Sequence, residues 1–348
     1  MSMPKRIAVI DVSHWHSTYD ASYLKILTDL ERDIVGVSDR DETIARDRAQ
    51  RFNSLPFTDY SEMIEKTRPE FVIALGRHSD MPQTFRYLVD AGVPFIMEKP
   101  WGTDADTVAG LAELAEHRGA WVGAPFVTRT SFWSLTAKRM VEQGEFGRIS
   151  HITFRMIRPT MQRYVEWDSP WMNSREIAGG GALVNLGSHG FDIARFITGE
   201  EPEVVSAVIS NAVHQEEVED YAHVTLRTPS GIIFHNEVGY TMPTWPKNST
   251  DGEQKVAGEK LLLRAHPQGL HVLAPGRDEV MPTPEVISTP EGFQAGFSKI
   301  VKDSLEAYGR GDPPPVGPWE CVKAGRLIHG AYAIAGPARG REANRDRV

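Results

Sequence analysis

The sequence predicts an α/β protein: a doubly wound parallel sheet first, then an α+β part with a largely antiparallel open sheet. Up to about residue 123, short apolar runs alternate with amphipathic stretches. Beyond residue 124 the strands lengthen and turns begin to join them. The 348 residues also exceed one ordinary core, which suits two domains, 1–123 and 124–348.

The elements follow in order. Ile7 to Ile10, Ile34 to Val37, Phe71 to Leu75, Phe95 to Met97 and Trp121 to Val122 are apolar runs of the kind covered on both sheet faces. Phe85, Leu88 and Val89 fall at i, i+3 and i+4 before Gly92. Val108, Leu111, Ala112 and Ala115 follow helical spacing between Thr103-Asp104 and Gly119, so both stretches are expected helices with stop signals. Further on, Phe132 to Glu142 has helical spacing and Ile149 to Ile157 is extended. Val204 to Ile209, Ala222 to Leu226 and Ile232 to Val238 are expected strands, with Pro229-Ser230-Gly231 turning between the last two. Helices are expected around Phe293 to Tyr308 and Glu320 to Ala335, the second (about 318–336) packing back on the first domain. Lys247 to Lys255 is polar and expected to be a mobile loop.

A formal charge of -9, from 38 Lys+Arg against 47 Asp+Glu, argues against nucleic acid or an anionic membrane as partner. The basic tail Arg339 to Arg347 is short and diluted by acids. The single cysteine, Cys321, lies in a helical stretch and is expected to be a packed or partly exposed thiol, not a nucleophile. The N-terminal apolar run is too short for a signal or a span, so a cytoplasmic protein is expected.

Three stretches carry candidate chemistry. The run IAVI ends in Asp11-Val12-Ser13-His14-Trp15-His16, where a dinucleotide turn would carry G-x-G-x-x-G; Asp11, Ser13 and His16 fill the glycine positions. The strand Phe95 to Met97 delivers Glu98 and Lys99 to the carboxyl edge of the sheet, where ligands of open α/β sheets bind. The stretch Gly179 to Asp192, if helical from Ala182, sets Asn185 and His189 one turn apart, and His189 and Asp192 likewise. Read singly, Lys99 is equally a surface lysine, and His189 reads first as a hydrogen-bonded core histidine.

Together with Glu145-Phe146-Gly147-Arg148-Ile149 and Val218-Glu219-Asp220, these motifs resemble the Gfo/Idh/MocA family of sugar and polyol oxidoreductases. The resemblance implies an N-terminal Rossmann domain, a C-terminal α/β domain whose open sheet forms a homodimer or homotetramer, and a hydride transfer between NAD(P) and a hydroxylated small molecule. It makes Lys99 the active-site lysine and His189 the general acid/base. Asn185 stands where the family usually has aspartate; it is expected to orient the His189 ring while bringing no charge to an imidazolium. The Ser13 to His16 turn is similar to a branch of the family in which histidines replace backbone amides as phosphate or ribose donors.

Asp39 closes the second strand about 20 residues past the turn, which favours NAD, while Arg40 beside it leaves NADP possible. Arg77-His78-Ser79-Asp80 follows a strand that would neighbour the first, placing His78 at the cofactor. A minor alternative gathers His14, His16, His78 and Asp80 around Zn²⁺ or a similar cation, although the main reading has no metal. Arg163, Tyr164, Trp167 and Trp171 form an aromatic connection suited to a sugar face or to anchoring itself; Asp192 is a further substrate candidate. The rival readings are a lyase or glycosidase using tightly held NAD, and a non-catalytic small-molecule-binding relative that lost the cofactor.

Overall fold

The computed structural model describes residues 3–242, 251–282 and 290–336. Strands β1 (Arg6–Ile10), β2 (Asp33–Ser38), β3 (Pro56–Phe57), β4 (Phe71–Ala74), β5 (Phe95–Met97) and β6 (Val122–Gly123) pair in parallel in the order β3-β2-β1-β4-β5-β6. Helices α1 (Tyr23–Asp29), α2 (Glu42–Arg51), α3 (Tyr60–Thr67), α4 (Met81–Asp90) and α5 (Ala105–Arg118) connect them. Their boundaries have local causes: Asp41, Asp59 and Asp104 accept from first-turn amides, and Gly119 ends α5 with a left-handed backbone. The strand order reverses between β1 and β4, so their carboxyl ends open the crevice in which such sheets bind ligands.

The second sheet holds β7 (Ile149–Pro159), β8 (Glu203–Ser210), β9 (Tyr221–Arg227), β10 (Ile233–Met242), β11 (Asp251–Gly258), β12 (Leu262–His266), β13 (Gly269–Ala274) and β14 (Arg277–Pro282). Its order is β14-β13-β12-β11-β7-β10-β9-β8, antiparallel throughout except where β7 meets β10. Ile152, Phe154, Val224, Leu226, Phe234 and Val238 point into its core, while the alternate residues face outward, as period-2 patterning requires. Helix α6 (Phe132–Glu142), the short α7 (Gln162–Glu166) and α8 (Arg175–Ala178), and α9 (Ser188–Thr198) belong to this half.

Two expectations need correction. Asp251 to Lys255 are not a mobile loop: they form the start of β11, paired with β7, and Arg155 reaches Asp251 at 2.9 Å. At this end of β11 both faces are exposed or half-buried, which accommodates the polar residues; residues 247–250 and the tail 339–347 fall outside the described residues. The segment from Ala182 is not one regular helix either. A π-turn, Leu183–Gly187, precedes α9; Asn185 and His189 still line the same cleft, but His189 Nδ1 has no hydrogen-bond partner among the described residues.

The last helices, α10 (Pro290–Arg310) and α11 (Pro318–Ala335), join the two sheets. Phe297, Ile300, Val301 and Leu305 enter the parallel-sheet core. Helix α11 divides, with Cys321, Val322 and Ala324 in that core and Leu327, Ile328 and Ala331 in the other. Trp15, from the first β–α turn, is buried in the second core, so this turn is anchored in both halves.

Candidate active site

At the end of β1 the chain turns through Asp11, whose φ of 57° is the left-handed conformation that a glycine usually supplies. The turn then satisfies itself. The amide of Ser13 donates to Asp39 Oδ2 at 2.6 Å, that of His14 to Asp11 O at 3.1 Å, and that of His16 to His14 Nδ1 at 3.1 Å. A glycine turn presents such amides to a pyrophosphate; here three are already engaged. Because His14 Nδ1 accepts, its Nε2 carries the hydrogen and supplies a side-chain donor; burial, reinforced by His16, His78 and Lys99, keeps this ring well below the usual histidine pKa.

The ends of the other strands complete one wall. Asp39 is buried, with Oδ1 also accepting from Asp41 N at 3.0 Å, and neighbouring Arg40 is ion-paired to Asp80. Burial and Asp39 together raise the Asp11 carboxyl to about 7. His78, fully buried, hydrogen-bonds Ala178 O through Nδ1 at 2.7 Å, which fixes Nε2 as an acceptor, and burial pushes its pKa down to about 3. That Nε2 has no hydrogen-bond partner among the described residues. Glu98 Oε1 accepts from His16 Nδ1 at 2.8 Å and Tyr23 OH at 2.7 Å.

Lys99 crosses to the other half. Its ammonium donates to Asn185 Oδ1 at 2.5 Å and Asn185 O at 2.8 Å, and burial, opposed by Glu98 and Cys321, lowers its pKa to about 8. The Asn185 amide in turn donates to Tyr164 OH and Tyr240 OH, each at 2.8 Å. Asn185 therefore orients Lys99, not the histidine ring. His189 lies beside them, almost fully buried, with Nδ1 unpartnered among the described residues. Burial first, then Lys99, His16 and Arg158, hold it neutral. Trp15, His16, Arg158, Tyr164, Asn185 and His189 line one small cleft.

The aromatic connection covers the turn. Ser169 Oγ donates to Ser13 O at 2.9 Å, Trp171 packs on Trp15 and His78 at 5.8 and 5.0 Å between centroids, and Trp167 stacks on Tyr19 at 5.3 Å. Arg163 is buried over the rings of Tyr164 and Tyr240. Asp192 is held by Arg129 at 2.7 and 2.5 Å. Among the described residues no three His, Cys, Asp or Glu side chains form a group able to hold a metal, and the Nδ1 atoms of His16 and His78 are already spent. Sequence reasoning missed Tyr23, Tyr240 and Arg129, whose partners lie 75, 55 and 63 residues away.

The family model for the N-terminal part, an oxidoreductase family with an NAD-binding Rossmann fold, matches residues 5–126, and that for the GFO/IDH/MocA C-terminal domain matches 134–263. The chain belongs to the Gfo/Idh/MocA family of NAD-binding oxidoreductases. It is 29% identical over 200 residues to the myo-inositol dehydrogenase Hyg17 of Streptomyces leeuwenhoekii, covering 56% of this chain and 57% of that one. It is 25% identical over 204 residues to the D-glucoside 3-dehydrogenase of Escherichia coli (strain K12), covering 57% and 55%. The chain spans about half the length of the curated relatives it matches. The crystal structure of GenD2 from gentamicin A biosynthesis, in complex with NAD, shares the fold with a TM-score of 0.79 at 22% identity over 96% of this chain and 95% of that one.

No helix among the described residues is long and apolar enough to cross a membrane. The residues present fit a nicotinamide dinucleotide at its ribose and nicotinamide end. The bare Nε2 of buried His78 suits a hydroxyl or amide donor, and Lys99 stands at the β5 edge beside it.

Proposed function

We propose that this chain is an NAD-dependent oxidoreductase that moves a hydride between nicotinamide and the CH–OH carbon of a sugar, polyol or related small molecule. The observation that carries the reading is that two elements meet at Asn185, which lines one small cleft together with His189. Lys99, two residues past the end of β5, is fixed by Asn185, and a neutral imidazole, His189, comes from α9. Bound nicotinamide supplies a two-electron acceptor. The chain supplies the rest: the Lys99 ammonium stabilises negative charge growing on the carbinol oxygen, and an imidazole of the cleft takes the hydroxyl proton. His189 is the imidazole that the family resemblance gives this role.

The nucleotide end is held by Asp39, whose charge disfavours a 2′-phosphate, and by the Nε2–H of His14 near the turn. Preference for NAD over NADP follows. Calorimetric titration tests it: NAD should bind more tightly than NADP, and Asp39→Ala should narrow the difference, whereas tighter NADP binding contradicts it. The spent turn amides favour one other reading, a relative that no longer binds the cofactor. Absence of heat with either dinucleotide would support that reading instead.

A further inference from the structure

The connection from β7 to α9 crosses the carboxyl edge of the parallel sheet strand by strand. Asp168 Oδ2 accepts at 2.8 Å from Arg48 of α2, the helix that follows β2. Ser169 Oγ donates at 2.9 Å to Ser13 O, past the end of β1, and Trp171 packs on Trp15 of the same turn and on His78 past β4. Ile177 O then accepts from Ser79 N at 3.0 Å and Ala178 O from His78 Nδ1 at 2.7 Å. Gly179 comes so close to Thr103, past β5, that a Cβ on it would stand 3.2 Å from the threonine Cβ. These contacts follow the chain in the order β2, β1, β4, β5, which is the order of the strands in the sheet. Residues 168–179 therefore run along the crevice through the point where strand order reverses, the path that a dinucleotide takes in such a fold.

The two ends of this strap are fastened differently. Ser169 and Ala178 are fully buried and Trp171 nearly so. Asp168 is the accessible point: its side chain is 36% exposed, its φ of 60° is left-handed, and its partner Arg48 also pairs with Asp47. Water can replace Arg48 at this carboxylate, so the pair costs little to open, whereas the β4 end is held by two carbonyl acceptors and a buried tryptophan. Neither Arg48 nor Asp168 lines the cleft of His189.

We propose that residues 168–179 form a gate over the cofactor crevice, hinged at the His78–Ala178 end and latched by the Arg48–Asp168 pair, so that the dinucleotide enters and leaves when the latch opens. The proposal rests on the nicotinamide-dependent reading above and adds what controls cofactor exchange. A latch leaves a kinetic signature. Weakening it speeds entry and exit together and leaves their ratio, the dissociation constant, little changed, whereas loss of a contact to the ligand raises the exit rate alone.

Stopped-flow fluorescence of NADH with the whole chain reads both rates. Asp168→Asn is the first variant, because asparagine also adopts the left-handed backbone and only the charge is lost; Arg48→Met opens the pair from the other side. Each should raise the association and dissociation rates together by about 5-fold, and the double variant should add little to either. Unchanged rates, or a faster dissociation alone, would overturn the gate. Hydrogen exchange followed by mass spectrometry tests the latch with no cofactor present: peptides from 168–179 should lose protection in both variants while those of β7 and α9 keep theirs. Protection equal to wild type would overturn it as well. If no dinucleotide binds, the nicotinamide reading fails, and the exchange data still decide whether the pair holds the strap.

Discussion

Lys99 shows how burial tunes a single group. Its pKa near 8 comes from burial, partly offset by Glu98. If the ammonium stabilises alkoxide charge, kcat/KM should fall above about pH 8 as the proton is lost. Asn185→Asp places a carboxylate where Oδ1 now accepts from Nζ, which raises the lysine pKa, so the alkaline limb of the pH–rate profile should move upward. A limb that stays in place would mean that another group produces it. The same burial affects folding. Between about pH 8 and the ordinary lysine value of 10.5 the unfolded chain keeps a proton that the folded one has released, so Lys99's contribution to stability rises with pH through that window. At this scale the sequence reveals Lys99 and His189 but not their partners. Asn185 was expected to serve the histidine, and it serves the lysine because two tyrosines, one of them 55 residues away, hold its amide from the other side.

The π-turn and α9 owe their place to small residues and one carboxylate. Glu219 Oε1 accepts from the amides of Gly181 and Leu183, each at 2.9 Å, and from Tyr332 OH at 2.8 Å, so the Val218-Glu219-Asp220 motif anchors the start of the segment. A Cβ on Gly190 would stand 2.2 Å from Oδ1 of fully buried Asn236, whose Nδ2 donates to Gly187 O at 2.9 Å. Gly190→Ala should therefore cost about 1–3 kcal/mol through overpacking, read as a lowered denaturant midpoint. Gly110, inside α5, would meet nothing within 4 Å, and Gly110→Ala should stabilise by about 0.5–1 kcal/mol. Equal effects of the two substitutions would contradict the packing described. The glycines are plain in the sequence, yet their reason lies on β10 and in the loop before β9, which no local pattern reveals. Five of the six parallel strands were legible because burial on both faces makes them continuous apolar runs; the two-residue edge strand β3, Pro56–Phe57, was not. The hairpins β12 to β14 were not, since most of β14 is exposed and its pattern is polar.

At the scale of the whole molecule, an ionic cluster ties α11, the helix shared by both cores, to the second half. Arg129 grips Asp192 and also pairs with Glu320 of α11, which Arg195 reaches at 3.0 Å. Arg129→Met would leave Asp192 buried without its main partner and should cost about 3 kcal/mol, seen as a lower Tm; an unchanged Tm would show the cluster to be dispensable. The division into two sheets was visible in the change of rhythm near residue 124. The wrapping of α10 onto the first core, and of Trp15 into the second, was not, because amphipathic spacing shows that a face is buried without showing against what. Lys99 is held by Asn185 of the other half, so the central claim is best tested by following absorbance at 340 nm with NAD⁺ and a panel of sugars and polyols. Wild-type protein should form NADH with at least one of them, and Lys99→Met should do so at least about 10²-fold more slowly while remaining folded. Turnover by Lys99→Met at the wild-type rate would contradict the account.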